Sequence, residues 1–412
     1  MNEIWRVHKE MKILICGSDG YIGYPLSIHL LKRGHKVICL DNFSRRQRVE
    51  EIGSQSLTPI KGIRERRKYL RKIKGYNGDV FHTLNEESTV GFTNVLKHFE
   101  PDAIVHLAEQ PSAPWSMISA EHAAVTQREN ILGTLNLLWA MKQVCPEAHL
   151  VKLGTMGEYG TPNCDIPEGR IPIDPCAWVR EARVDVENRD DTSISLYPKC
   201  PMSGLLFPRT PGSFYHLTKV HDTFNIEFAC RNWGLRSTDI MQGVLFGLVG
   251  EDENELTRFD YDEFFGTAIN RFCAQALIDH PLTVYGKGNQ TRGFLPLKDS
   301  LQCLTIALES PPEPGEYRTL NQFENIYKIN DLANMVARGA QENGINSAIM
   351  HIENPRNEAE EHYYNPDHQT LFTMGYVPTT DIQGEITELI KQLLPYKDRI
   401  IPEVIMPKVK WR

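Results

Sequence analysis

Short apolar runs alternate with amphipathic stretches along most of the chain. The first run, Ile13 to Cys16, is followed by Gly17, Gly20 and Gly23 at every third position, then by an amphipathic segment and a second apolar run that ends on Asp41. That order predicts a strand, a glycine turn, a helix and a second, parallel strand. Pro25 suits the opening of the helix, where the first amides have no intrahelical partner. Further strands are expected at Tyr76 to His82, Asp102 to Ala108, His149 to Thr155, Leu235 to Met241, Leu282 to Tyr285 and Tyr317 to Phe323. Helical spacing appears in the basic segment Lys61 to Lys74 and in Glu121 to Val144, where Ile131, Leu135, Leu138 and Met141 share a face. It recurs in Phe214 to Asn232, Asp262 to His280, Asp299 to Leu308, Asn330 to Asn343 and Ile382 to Leu394. Strands alternating with helices in this way imply a parallel sheet covered on both faces.

Some stretches break the rhythm. Glu109 to Met117 reads as a loop with two prolines and a tryptophan, Gly286 to Gly293 as a polar turn, and Met350 to Asn365 is polar and charged. Between Pro162 and Pro211 periodicity is lost apart from a short helix expected at Trp178 to Val186. A long irregular segment inside a compact domain is normally a functional loop.

Composition narrows the picture. The 412 residues suffice for two lobes, and 41% apolar with 24% charged content is ordinary for a water-soluble globular protein. With 45 Lys and Arg against 53 Asp and Glu, the formal charge of −8 argues against a nucleic-acid partner. The basic segment at Lys61 to Lys74 is read as a solvated helix face. None of the nine cysteines has CxxC spacing, so no metal site is expected. No apolar run approaches the ~18 residues that would cross a bilayer, and the N-terminus has no signal-like core. A cytoplasmic chain without a membrane partner is expected.

The glycine turn supplies the first chemistry. Backbone amides at a helix N-terminus can hold a pyrophosphate, and an acid about 18 residues beyond the last glycine can hold ribose hydroxyls. Gly17, Gly20, Gly23 and Asp41 have that arrangement, and Asp79 and Val80 in the third strand would lie near the adenine. An acid at position 41 favours NAD over NADP, although Arg45 and Arg46 follow it closely. Tyr215 and Lys219 stand four apart, on one side of a helix, and Thr155 ends a strand. An ammonium and a positive nicotinamide both favour ionised phenol, which would make Tyr215 a base near neutrality. The fold expected is α/β: a Rossmann-type doubly wound parallel sheet with a smaller α/β substrate-binding lobe.

The glycine turn, Asp41, Thr155 and the Tyr215–Lys219 pair together resemble the extended short-chain dehydrogenase/reductases, which act on nucleotide sugars. The runs SQSLTPI (Ser54 to Ile60), SAPWSMI (Ser112 to Ile118), VKLGTMGEYGTPN (Val151 to Asn163), SFYHLTKVHD (Ser213 to Asp222), HPLTVYGKGNQTRGFL (His280 to Leu295) and NPRNEAEEHYYN (Asn354 to Asn365) resemble one branch of that family. Members of this branch join sulfite to UDP-glucose with NAD as an internal oxidant. The resemblance implies that Tyr21, Ile22, Asn42, Arg46, Leu107 and Gln242 help to hold NAD. It places Gln110, Thr155, Gln242, Thr267, Tyr285, Gln290, Arg292, Arg356 and Glu358 on the nucleotide sugar, with the two arginines on its diphosphate. It also implies an NAD-binding domain of 11–243 with 296–323, holding an active-site insertion at 162–211. A nucleotide-sugar lobe of 244–295 with 324–412 would complete a chain that dimerises through Glu121 to Val144.

Elimination of water from the sugar needs an acid and a base beyond Tyr215. Related dehydratases carry an Asp-Glu pair after the threonine, where this chain has Met156 and Gly157; Glu158 and His216 are the nearest replacements. The branch typically has arginine before the Ser-Ala-Pro run, and here Pro111 stands there. Two other readings remain: another NAD-dependent nucleotide-sugar epimerase or dehydratase, and a non-enzymatic dinucleotide sensor of the same fold.

Overall fold

A computed structural model describes residues 10–410 except 74–75, 83–88, 172–204, 357–358, 360 and 380, and does not describe the side chains of 76–82 and 205. Strands β1 (Lys12–Cys16), β2 (Lys36–Leu40), β3 (Tyr76–His82), β4 (Ala103–His106) and β5 (His149–Thr155) follow the expected apolar runs. With β8 (Arg236–Gln242) and β12 (Tyr317–Gln322) they form one seven-stranded sheet in the order β12-β8-β5-β4-β1-β2-β3. Every pair in it is parallel.

Strands β1, β2 and β4 are largely apolar because each side of the sheet is covered. Ile13 and Ile15 of β1, Val37 and Cys39 of β2, and Val105 of β4 pack into one core. Their neighbours Leu14, Cys16, Ile38, Leu40 and Ile104 pack into another on the opposite face. Successive side chains of a strand point to opposite faces, so one apolar run feeds two cores. The strand order reverses between β1 and β4, and their carboxyl ends open a crevice there.

A second body of structure is built from β9 (Val244–Phe246), β11 (Thr291–Pro296) and β13 (Asn325–Lys328), with β11 parallel to β9 and antiparallel to β13. Beside it β10 (Leu282–Tyr285) pairs with β14 (Ile349–Ile352). Helices Ala268–Leu277, Ile329–Glu342 and Ile382–Leu393 enclose a core that includes Phe272, Val284, Val336 and Ile386.

Several expectations need correction. The helix expected from Asp262 begins only at Ala268, because Asp262 Oδ1 accepts the amides of Phe264 and Phe265 at 2.9 Å and folds the backbone into a turn instead. The helix expected over Glu121 to Val144 is Ala120–Gln127 and Gly133–Val144 with a π-turn, Arg128–Leu132, between them. That turn drives Asn130 inward, where it holds the amide of Gln110 at 2.8 Å and donates to Thr218 Oγ1 at 2.9 Å. The polar turn at Gly286 ends early, since β11 starts at Thr291, and the polar stretch from Met350 carries most of β14. Of the segment 162–211, the described ends form the two-stranded pair β6 (Arg170–Ile171) and β7 (Leu205–Leu206). The helix expected at Trp178 to Val186 lies outside the described residues.

Candidate active site

The carboxyl ends of β1, β4 and β5 and the loops of the second body enclose a cleft of about 360 Å³. At one end the glycine turn passes close to the chain. Gly17 has φ +82°, and a Cβ there would stand 2.6 Å from the Leu107 carbonyl. At Gly23 it would stand 2.1 Å from the Gly17 carbonyl oxygen. The helix α1 (Gly23–Lys32) opens with no side-chain cap and no acid in its first turn, so its positive end faces the cleft unblocked. The turn therefore fits a pyrophosphate.

Asp41, just beyond β2, is aimed by two amides: Asp19 N donates to Oδ2 and Phe43 N to Oδ1, both at 2.7 Å. Each oxygen keeps acceptor capacity for a ribose hydroxyl. Burial, and after it the Asp19 carboxylate, raises the Asp41 pKa to about 6. Tyr21 lines the cleft, but its hydroxyl donates to the Gly247 carbonyl at 2.7 Å and ties the turn to the second body.

At the centre, Thr155 ends β5 and faces the helix Phe214–Trp233 that carries Tyr215, His216 and Lys219. Thr155 Oγ1 accepts the Gly157 amide at 3.1 Å. Lys219 Nζ donates to the Leu153 carbonyl at 2.6 Å, pairs with Glu109 at 2.5 Å and lies 5.7 Å from the Tyr215 ring centroid. Desolvation, then the Glu109 carboxylate, pushes the Tyr215 phenol well above its ordinary pKa, against the pull of Lys152. Of the two positive charges expected to favour the ionised phenol, the Lys219 ammonium is paired with Glu109, which offsets part of its pull.

His216 packs against Gly157, where a Cβ would come 2.4 Å from Nε2. Its Nδ1 is 3.1 Å from Ser213 Oγ, which also caps the helix by accepting the His216 amide at 3.2 Å. Desolvation, then Arg356 and Arg292, lower its pKa to about 3, which favours the neutral imidazole, the form that can accept a proton. An anion placed between those arginines opposes that shift.

The third end of the site is cationic. Arg292 donates to the Thr291 carbonyl and to His362 Nε2, each at 2.7 Å, and burial lowers its pKa to about 10. Arg356 lines the cleft, and burial lowers its pKa as well. Arg271 donates to the Tyr285 hydroxyl and lies 4.2 Å from that ring's centroid. Thr267 lines the cleft and Gln290 Oε1 is buried beside Tyr285, and neither Thr267 Oγ1 nor Gln290 Oε1 has a hydrogen-bond partner among the described residues.

The expected residues Gly17, Gly20, Tyr21, Ile22, Gly23, Asp41, Asn42, Leu107, Thr155, Tyr215, His216, Lys219, Gln242, Thr267 and Arg356 line this one cleft. Others do not. Glu158 is fully buried and points away, with Oε2 accepting from Thr223 Oγ1 at 3.1 Å and facing Arg209 Nε at 3.3 Å. Gln110 is also fully buried; its side-chain amide is bonded to the Ser112 carbonyl and Thr126 Oγ1, so it shapes the loop rather than facing a ligand. Arg46 is turned onto Asp19, with contacts of 2.6 and 2.8 Å. Tyr285, Gln290 and Arg292 belong to the cationic end, outside the cleft lining. Asp79 and Val80 lie in β3, whose side chains are outside the described residues, as is Glu358.

Pro111 lines the cleft as well. Arg48, paired with Glu129, and Arg45, paired with Asp260, line the same cleft. Sequence reasoning missed Glu109 and the fully buried Lys152 behind Lys219. A signal for Glu109 existed: an acid immediately after the apolar strand DAIVHLA, at the strand end where ligands bind.

A doubly wound sheet with a pyrophosphate-fitting turn and a Thr-Tyr-Lys centre defines a dinucleotide-dependent enzyme of the epimerase and dehydratase type. In agreement, residues 13–177 match the model of the NAD dependent epimerase/dehydratase family. The chain is 42% identical to the chloroplastic UDP-sulfoquinovose synthase of Spinacia oleracea over 97% of its own length and 79% of that protein's. It is 43% identical to UDP-sulfoquinovose synthase of Sulfolobus acidocaldarius over 98% of each. The solved UDP-glucuronic acid 4-epimerase of Bacillus cereus, in complex with UDP-4-deoxy-4-fluoro-glucuronic acid and NAD, shares the fold with a TM-score of 0.65 at 20% identity, covering 93% of this chain and all of that one. The chain belongs to the UDP-sulfoquinovose synthase family and is an NAD-dependent enzyme.

Proposed function

We propose that this cleft converts UDP-glucose and sulfite into UDP-sulfoquinovose. The observation that carries the reading is the meeting of Thr155, Tyr215 and Lys219 with His216 and Arg356 in one cleft. The glycine turn and Asp41 would hold NAD, which would supply the hydride acceptor for oxidation at C4 of the glucose and the hydride for the closing reduction. Tyr215, supported by Thr155, accepts the C4 hydroxyl proton, and Lys219 orients the nicotinamide ribose. The C4 ketone acidifies the C5 hydrogen, which His216 removes while the C6 hydroxyl leaves as water. Sulfite then forms a carbon–sulfur bond at C6, a proton returns to C5, and Tyr215 gives its proton back to the C4 oxygen. Arg356 and Arg292 hold the diphosphate and balance its charge next to His216.

The two-lobe division expected from the sequence is supported by the separate cores, although Leu57 of the first segment packs into the core of the second. We propose a homodimer formed by the face that carries Trp139, Phe224 and Phe228, which are 41%, 52% and 47% exposed. No helix among the described residues is long and apolar enough to cross a membrane. The seven described cysteines are free, which suits the reducing cytoplasm.

Mass spectrometry of UDP-glucose incubated with the enzyme, with and without sulfite, tests the reaction. A product heavier by one SO2 is expected only with sulfite. An isomer of unchanged mass would favour the epimerase, and an untouched substrate the sensor.

A further inference from the structure

The chain carries contradictory signs about its dinucleotide. Asp41, just beyond β2, stands where an acid that hydrogen-bonds a ribose 2′-hydroxyl is expected, whereas Arg45 and Arg46 a few residues on are of the type that accommodates a 2′-phosphate. The structure shows where both arginines go. Arg46 closes on Asp19 as a fork, Nε to Oδ2 at 2.6 Å and Nη2 to Oδ1 at 2.8 Å, and Nη2 also reaches the Lys61 carbonyl at 3.0 Å. Arg45 Nη2 pairs with Asp260 at 2.6 Å, its plane lying 3.6 Å from the centroid of Phe265.

Asp19 is an unusual anchor. It sits inside the glycine turn, between Gly17 and Gly20, and is almost fully buried. Its amide donates to Asp41 Oδ2, and Arg66 Nη1 grips both its carboxylate at 2.6 Å and its carbonyl at 3.0 Å. Arg66 is fixed in turn above Tyr24, 3.7 Å from the ring centroid. The aspartate that aligns Asp41 is thus the same one that binds Arg46, a candidate for a 2′-phosphate.

A guanidinium fork already matched to a carboxylate cannot grip a phosphate without breaking two charge-assisted hydrogen bonds. We propose that Asp19 is a specificity-determining residue: by holding Arg46 on its own carboxylate it keeps the adenosine end of the cleft selective for NAD over NADP. Asp260 does the same for Arg45. The proposal rests on the adenosine ribose lying at Asp41, the NAD reading given above.

The test measures binding of NADH and NADPH to the full chain, stripped of cofactor, through the fluorescence of the bound dihydronicotinamide. The wild type should prefer NADH. Asp19→Asn should raise the NADPH-to-NADH affinity ratio at least tenfold, and Asp19→Asn with Arg46→Ala should return it to the wild-type value. Arg46→Ala alone should leave the ratio unchanged, because that arginine is already withdrawn. A ratio unmoved by Asp19→Asn overturns the proposal, and so does a raised ratio that persists without Arg46. If Asp19→Asn fails to fold because Arg66 loses its partner, Asp19→Asn with Arg66→Met removes the orphaned guanidinium and the same ratio is read. A wild type that binds neither dinucleotide would instead overturn the NAD reading itself.

Discussion

Gly157→Ala should separate the two halves of the proposed reaction. The new Cβ would stand 2.4 Å from His216 Nε2, 2.6 Å from Cδ2 and 3.1 Å from Cε1. Non-bonded heavy atoms settle near 3.5 Å, so the ring has to retreat by about 1 Å. It has little freedom to do so, because Ser213 Oγ holds both its Nδ1 and its backbone amide. Alanine itself brings no strain, since Gly157 is not among the residues with positive φ, and it keeps the amide that bonds Thr155 at 3.1 Å. A misplacement of 1 Å costs roughly 10²-fold in rate, and loss of a general base ~10²- to 10⁴-fold. We therefore expect NADH to form with UDP-glucose at a near-normal rate while exchange of the C5 hydrogen in deuterated water slows at least a hundredfold. Absorbance of bound NADH and mass spectrometry of the recovered sugar read the two steps. In a His216→Ala background the alanine at 157 should add nothing, since both changes act through one ring. Exchange at the wild-type rate in Gly157→Ala would refute the role given to His216, and equal loss of NADH formation would show that the clash displaces Thr155 instead.

Other perturbations follow from the charges around the cleft. Glu109→Gln removes a carboxylate that raises the Tyr215 pKa, so the acidic limb of NADH formation should move to lower pH; an unmoved limb would leave Glu109 only a structural support for Lys219. Asp41 has its pKa raised to about 6, and only the carboxylate can accept both ribose hydroxyls, so NAD affinity should be full above that pH and weaken as pH falls through it. Titration calorimetry at several pH values checks this, and a flat profile would argue against the placement. Phe228→Asp puts a charge on the exposed aromatic face and should convert a dimer to monomers in sedimentation without changing the circular dichroism. A monomeric wild type would end the dimer proposal.

What the sequence disclosed and what it hid divide along a physical line. Alternation within a strand reports two faces directly, and Ile13 and Ile15 could be separated from Leu14 and Cys16 because the covalent chain itself puts them on opposite sides. The glycine turn was legible for a similar reason: at Gly17 and Gly23 any side chain meets backbone at 2.6 and 2.1 Å. The same local rules misjudged the helix over Glu121 to Val144, because a π-turn leaves the apolar spacing nearly intact while turning Asn130 toward Gln110 and Thr218.

Direction and pairing were the hidden part. Glu158 and His216 were both candidates in the sequence, yet a three-residue turn after Thr155 sends the carboxylate inward to Thr223, while the glycine at 157 leaves room for the imidazole. Lys219 was read beside Tyr215, four residues away, but its closest charge is Glu109, delivered by a different strand end. Arg46 was counted as a cofactor ligand from the family resemblance, although Asp19 takes its fork. In each case the sequence lists the charges, and only the fold says which of them neutralise one another. In a cleft that brings a phenol, an imidazole and two buried arginines together, that pairing decides which groups are left able to act.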